Sequence, residues 1–123
     1  MMLFAAEGTL TGLGTESNPY IIKTENDFKS IQDGIKGGKS YKNKYFRSES
    51  DIKLSSSWEP LGTLKERADK PGNGTNILPF SGNIDGNGHT LTFAKGSKPL
   101  FGYVRDAKVS NLNIFGTYIV KSL

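Results

Sequence analysis

The chain has 123 residues, the length of one domain. Only 35% of them are hydrophobic and 15 are glycine, which excludes a helical bundle and favours short strands joined by turns. The absence of cysteine removes disulfides, thiolate metal sites and cysteine nucleophiles, and a single histidine removes multi-histidine centres. The net charge of +4 comes from lysines scattered between Lys23 and Lys121, not from a dense basic face, so no nucleic-acid partner is expected.

Residues 1–8, with Met1-Met2-Leu3-Phe4 running into Ala5-Ala6-Glu7, read as a signal remnant or an expression tail. Asn18-Pro19 breaks the chain, and Tyr20-Ile21-Ile22 reads as a short strand. The pattern predicts a helix over Glu25 to Ile35. Thr24 is its cap, Asp27 takes the reciprocal capping position, and Phe28, Ile31 and Ile35 share one face until Gly37-Gly38 ends it. Tyr45 to Leu54 alternates as one strand, with Phe46, Ile52 and Leu54 inward and Arg47, Glu49, Asp51 and Lys53 outward.

Residues 62–78 are charged and then rich in Gly and Asn, and are expected to form a long surface loop. Beyond them, an offset of 21 residues pairs Phe80 with Phe101, Asp85 with Asp106, Leu91 with Leu112 and Phe93 with Ile114. A repeat of about this length matches one turn of a solenoid whose coils share a core. Gly86-Asn87-Gly88 and Ser110-Asn111 then supply the corners. Gly116 to Leu123 is strand-like and lacks a polar cap, so self-association through an open terminal coil, or continuation in a longer chain, is expected. No stretch is apolar enough to span a bilayer.

Several strings together resemble GLUG-motif bacterial surface proteins. They are Gly14-Thr15-Glu16-Ser17-Asn18-Pro19-Tyr20-Ile21-Ile22, Asp51-Ile52-Lys53-Leu54 with Trp58-Glu59-Pro60-Leu61-Gly62, the run from Phe80 to Leu91, and Leu100-Phe101-Gly102 followed by Val109-Ser110-Asn111-Leu112. The resemblance spans roughly Gly8 to Gly116. It implies a mainly β fold, a right-handed parallel β-helix forming a short solenoid with an N-terminal capping helix. It also implies an extracellular or cell-surface location in bacteria, in proteins that include adhesins and carriers of peptidase domains. Residues 9–123 are then one domain: cap and first coil over 9–61, surface loop over 62–78, and β-helix coils over 79–123. One departure is Pro99-Leu100-Phe101-Gly102, where proline replaces the first glycine of the Gly-Leu-x-Gly signature and fixes the backbone there. A zinc peptidase motif of the His-Glu-x-x-His kind is ruled out by the single histidine.

Asn83 to Ala94 matches half a calcium loop, but the first and twelfth positions hold Asn83 and Ala94 where the pattern requires carboxylates. Asp85 and Asn87 are therefore expected to bond their own backbone at a corner. His89 is expected to be a buried histidine held by a backbone hydrogen bond. Asp85 and Asp106, stacked on adjacent coils, could approach the spacing of a retaining glycosidase pair, although both occupy turn positions. Leu78-Pro79-Phe80-Ser81-Gly82 resembles a sortase signal but runs into a strand, and Asn73-Gly74-Thr75 is a formal glycosylation acceptor. Trp58, Tyr41, Tyr45 and Tyr103 are the candidate sugar-binding aromatics. The expected function is a non-catalytic structural or adhesive module without cofactor or metal, whose partners would be host or cell-wall glycans or proteins. The alternatives are a glycan-binding module or a fragment of a polysaccharide-degrading β-helix enzyme.

Overall fold

The computed structural model describes residues 10–66 and 75–118. The protein is mainly β, with one helix and two parallel sheets. Strand β1 (Tyr20–Ile22) leads into helix α1 (Glu25–Lys36). Thr24, in an extended conformation, accepts from the Asp27 amide at 3.3 Å, while the Asp27 carboxylate accepts from the Thr24 and Lys23 amides. This reciprocal cap is the one the sequence predicts. Phe28, Ile31 and Ile35 are buried, and the Gly37 amide closes the last turn on the Asp33 carbonyl. Glu25 ties the first turn to the sheets, because its carboxylate accepts from both the amide and the hydroxyl of Ser55 at 3.0 and 2.8 Å.

The expected single strand over Tyr45 to Leu54 is two strands, β2 (Tyr45–Ser48) and β3 (Ile52–Leu54), in different sheets. Between them the chain turns a corner, held by the Ser48 hydroxyl donating to the Ser50 carbonyl and the Glu49 amide donating to the Ile22 carbonyl. The predicted alternation survives the corner: Phe46, Ser48, Ile52 and Leu54 are all buried. Strands β6 (Asn83–Asp85) and β7 (Thr90–Ser97), then β8 (Lys108–Ser110) and β9 (Asn113–Tyr118), repeat the same succession. One sheet has the order β1-β2-β6-β8 and the other β3-β7-β9, and every pairing in both is parallel.

The register corrects the expected repeat. Leu91 lies beside Ile114, not Leu112, and the Phe80 backbone bridges to Val104, although its ring stacks on Phe101 at 5.7 Å. Asp85 lies beside Ser110, not Asp106. Pairing like letters at 21 residues underestimates the true stacking offset, which is lengthened by the corner residues. Asn87 and Asn111, with φ of 55° and 54°, supply the left-handed turns at two corners. At the same place the layers approach closely: a methyl group on Gly86 would come within 2.5 Å of the Asn111 carbonyl oxygen and 2.6 Å of the Leu112 Cα.

Part of the expected surface loop is also structured. Strands β4 (Thr63–Glu66) and β5 (Thr75–Leu78) pair antiparallel, with Thr63 opposite Leu78. Residues 67–74, with the Asn73 acceptor, lie outside the described residues, as do 1–9 and 119–123. The hairpin leaves the parallel arrangement after Gly62 and returns at Pro79, between the bridges Leu61 to Phe101 and Phe80 to Val104. It lengthens the chain between β3 and β6, so the register offset from β2 to β6 is larger than that from β6 to β8.

The core joins the helix face to both sheets through Phe28, Ile31, Ile35, Phe46, Leu54 and Trp58, with Leu61, Phe80, Ile84 and Leu91 beyond. Trp58 has no exposed surface; its ring meets Phe28 edge-on at 5.8 Å and its Nε1 donates to the Pro99 carbonyl at 3.0 Å. Trp58→Ala should lower the unfolding free energy by about 3–5 kcal/mol, and Phe115→Ala, at a residue 69% exposed, by no more than about 0.5 kcal/mol. Urea unfolding of the two variants against wild type measures both.

Candidate functional site

The four aromatic candidates are not brought together. Trp58 is consumed by the core, which corrects its expected place on a sugar platform. Tyr41 takes φ of 64° and packs its ring on Phe46 at 5.3 Å; burial, then Tyr20 and Asp33, push its phenol above the ordinary value of 10.0. Tyr103 is covered by the Arg105 guanidinium, 5.9 Å from the ring centroid, and its hydroxyl accepts from Arg105 at 3.2 Å. Tyr45 lines a groove.

That groove, about 290 Å³, runs over the outer face of the four-stranded sheet. Alternation along β2 places Tyr45 and Arg47 on this face, and Asn83, Asp85 and Lys108 follow from the neighbouring strands; Glu16 closes one side. In the sequence Arg47 reads only as an outward-facing residue, Asn83 as the first position of an incomplete calcium loop and Glu16 as part of a resembling string, and Lys108 has no assigned role. The signal was the parity of each strand, which becomes useful only once the strands are known to stack. Arg47 is engaged by Glu49 at 2.8 Å.

Asp85 does not form the expected carboxylate pair. Its register neighbours are Arg47 and Ser110, while Asp106 occupies a turn with φ of 57°. The Asp85 carboxylate accepts from the Asn87 amide at 2.8 Å and from the Asn111 side chain at 3.1 Å. This is the expected corner bond, extended to the next layer.

His89 departs from expectation in a related way. Its ring is about one-third exposed, and its Nδ1 lies 3.1 Å from the Asp51 carboxylate rather than against a backbone group. The same carboxylate accepts from the Thr90 amide at 2.9 Å. Asp51 occupies the corner between β2 and β3, and His89 the corner between β6 and β7, so the contact joins two layers. The Thr90 amide first, and the His89 ring second, hold the Asp51 carboxyl below its ordinary value of 3.8.

The folded protein therefore keeps Asp51 charged where the unfolded chain takes up a proton. The contact stabilises above about pH 4 and is lost as the pH falls through the lowered value. Wild type should exceed Asp51→Asn in stability at pH 7, with the difference shrinking below about pH 4. Urea midpoints collected between pH 7 and 2.5 measure this, and a difference independent of pH would contradict it.

No family model matches the chain, and no solved structure matches it. Over 122 aligned residues it is 30% identical to a protein of Evansella cellulosilytica described as "Putative Gly-rich membrane protein". The alignment takes in 88% of this chain and 12% of that protein, so the chain spans a small part of the relative's length. This similarity overturns the expected extracellular or cell-surface location, because the relative is named a membrane protein. Among the described residues no helix is long and apolar enough to cross a membrane, a statement that does not bear on β-barrels.

Proposed function

We propose that this chain is a non-catalytic structural or adhesive module of a longer bacterial protein of the GLUG-motif kind, built as a short right-handed parallel β-helix capped by α1. The register carries the reading. Phe46, Ile84 and Val109 follow one another in one parallel sheet, and Ile52, Leu91 and Ile114 in the other. From β2 onward, the β4–β5 hairpin aside, the chain visits the two sheets alternately. Crossovers between parallel strands are right-handed in about 98% of cases. The similarity to a glycine-rich protein several times longer fits a module that repeats.

The two ends of the stack differ. On one side α1 lies against β1 and β3. On the other, the inward column reaches the surface: Ile84 and Leu91 are 2% and 1% exposed, whereas Val109 and Ile114 are 40% and 52% exposed. An apolar column of this kind is covered by a further layer, supplied by continued chain or by a second copy. The purified chain should self-associate reversibly in sedimentation velocity, and the double variant Val109→Lys, Ile114→Lys should be monomeric with an unchanged melting temperature. A wild type that stays monomeric at millimolar concentration would refute the continuing stack.

A further inference from the structure

The sequence contains two Asn-Gly pairs, Asn73-Gly74 and Asn87-Gly88. The second forms the corner between β6 and β7. Asn87 and Gly88 have φ of 55° and 78°, and the His89 amide donates to the Gly86 carbonyl at 2.9 Å, which makes Gly86 to His89 a type I′ turn. Both central residues are exposed, so water and base reach them. An asparagine before glycine is prone to close its side chain on the next backbone nitrogen, because glycine has no side chain to obstruct the approach.

Two features of the fold oppose that closure. The Gly88 amide donates to the Asn111 carbonyl at 2.8 Å, and the Asn113 side chain donates to the Gly88 carbonyl at 3.0 Å. Both peptide bonds of Gly88 are thus held by the layer of β8 and β9. The turn also sets ψ of its first central residue at about +30°, which keeps the Asn87 Cβ and the Gly88 nitrogen on opposite sides of the Cα–C bond, whereas a five-membered ring needs them eclipsed. The layer that supplies these bonds is less buried than the one beneath it, as Val109 and Ile114 show. Elements with little buried apolar surface open locally at low cost.

We infer that Asn87 is a latent deamidation site gated by the β8–β9 layer. When that layer detaches, the Gly88 nitrogen loses its acceptor, gives its proton to a solvent base and attacks the Asn87 side-chain carbonyl carbon. The new C–N bond forms as the bond to the amide nitrogen breaks, ammonia leaves with a proton from solvent, and water opens the imide to an aspartyl or isoaspartyl link. Either product places a carboxylate beside Asp85, which already accepts from the Asn87 amide and the Asn111 side chain. The isoaspartyl link also lengthens the backbone by one carbon, so the turn no longer meets Asn111. Opening of the layer is thereby recorded as an irreversible change. The inference rests on the layer register and not on the adhesive reading.

The test incubates the folded chain, and the same chain in guanidinium chloride, at mildly alkaline pH. Mass spectrometry with fragment ions that separate position 87 from Asn73 follows the conversion, and labelling by isoaspartyl methyltransferase reads the isoaspartyl product. Conversion at Asn87 should be at least about tenfold slower in the folded chain, the factor for a local opening that costs about 1.4 kcal/mol. Leu112→Ala, at the β8–β9 corner and packed against the core, should speed deuterium exchange of the Gly88 amide and speed conversion by the same factor. If that variant unfolds, Asn113→Ala, which removes only the bond to the Gly88 carbonyl, supplies the comparison. Equal rates in the folded and unfolded chain, no conversion in guanidinium chloride, or faster Gly88 exchange without faster conversion would overturn the gate.

Discussion

Parallel strand pairing cannot be closed by a tight turn. Each strand must hand the chain to another element before it returns one layer further on. In this protein helix α1 makes that return between β1 and β2, and corners leading into the second sheet make it for the later strands. Phe46 passes to Ile52 across the Glu49-Ser50-Asp51 corner, and Ile84 to Leu91 across Gly86-Asn87-Gly88. The apolar side chains of each layer therefore fall beside those of the next. The polar bonds at the corners follow from that superposition. Asp85 holds Asn111, Asp51 holds His89 and Thr90, and Asn113 donates to the Gly88 carbonyl. Each of these groups would be an ordinary surface residue without the layer beside it.

The helix answers a second constraint. A stack of strands has ends, and an exposed edge invites pairing with other chains. Helix α1 follows β1 directly and lies against β1 and β3, with Phe28 against Trp58 and Glu25 clamped by Ser55. Two polar residues, Ser30 and Gln32, are buried beside its apolar face, and the Ser30 hydroxyl donates to the Asn26 carbonyl at 3.0 Å.

Local features were the legible ones. The Thr24–Asp27 cap, the Phe28, Ile31 and Ile35 face and the β1 strand depend on residues within a turn of one another, and the sequence predicts each at its observed place. Alternation over 45–54 was read correctly by face but not by element, because a corner that preserves parity leaves no mark on the pattern. The pairs at an offset of 21 are not the strand partners, since Leu91 lies beside Ile114 and Ile84 beside Val109. Corners lengthen the offset beyond 21, and the β4–β5 hairpin interrupts it. The hairpin itself was hidden by the polar, Gly-rich sequence around it. Of the site candidates, the corner role of Asp85 could be read from Asx-turn chemistry. The aromatics could not be sorted, since Trp58 and Tyr45 look alike until one is placed in the core and the other on the outer face.

The central claim is the layer register, and it is tested most directly by backbone NOEs between neighbouring strands of the labelled chain. The account predicts cross-strand contacts from Leu91 to Ile114 and its chain neighbours and from Ile84 to Val109, all in the parallel pattern. Contacts joining Leu91 to Leu112 as strand partners, or an antiparallel pattern between β7 and β9, would contradict it.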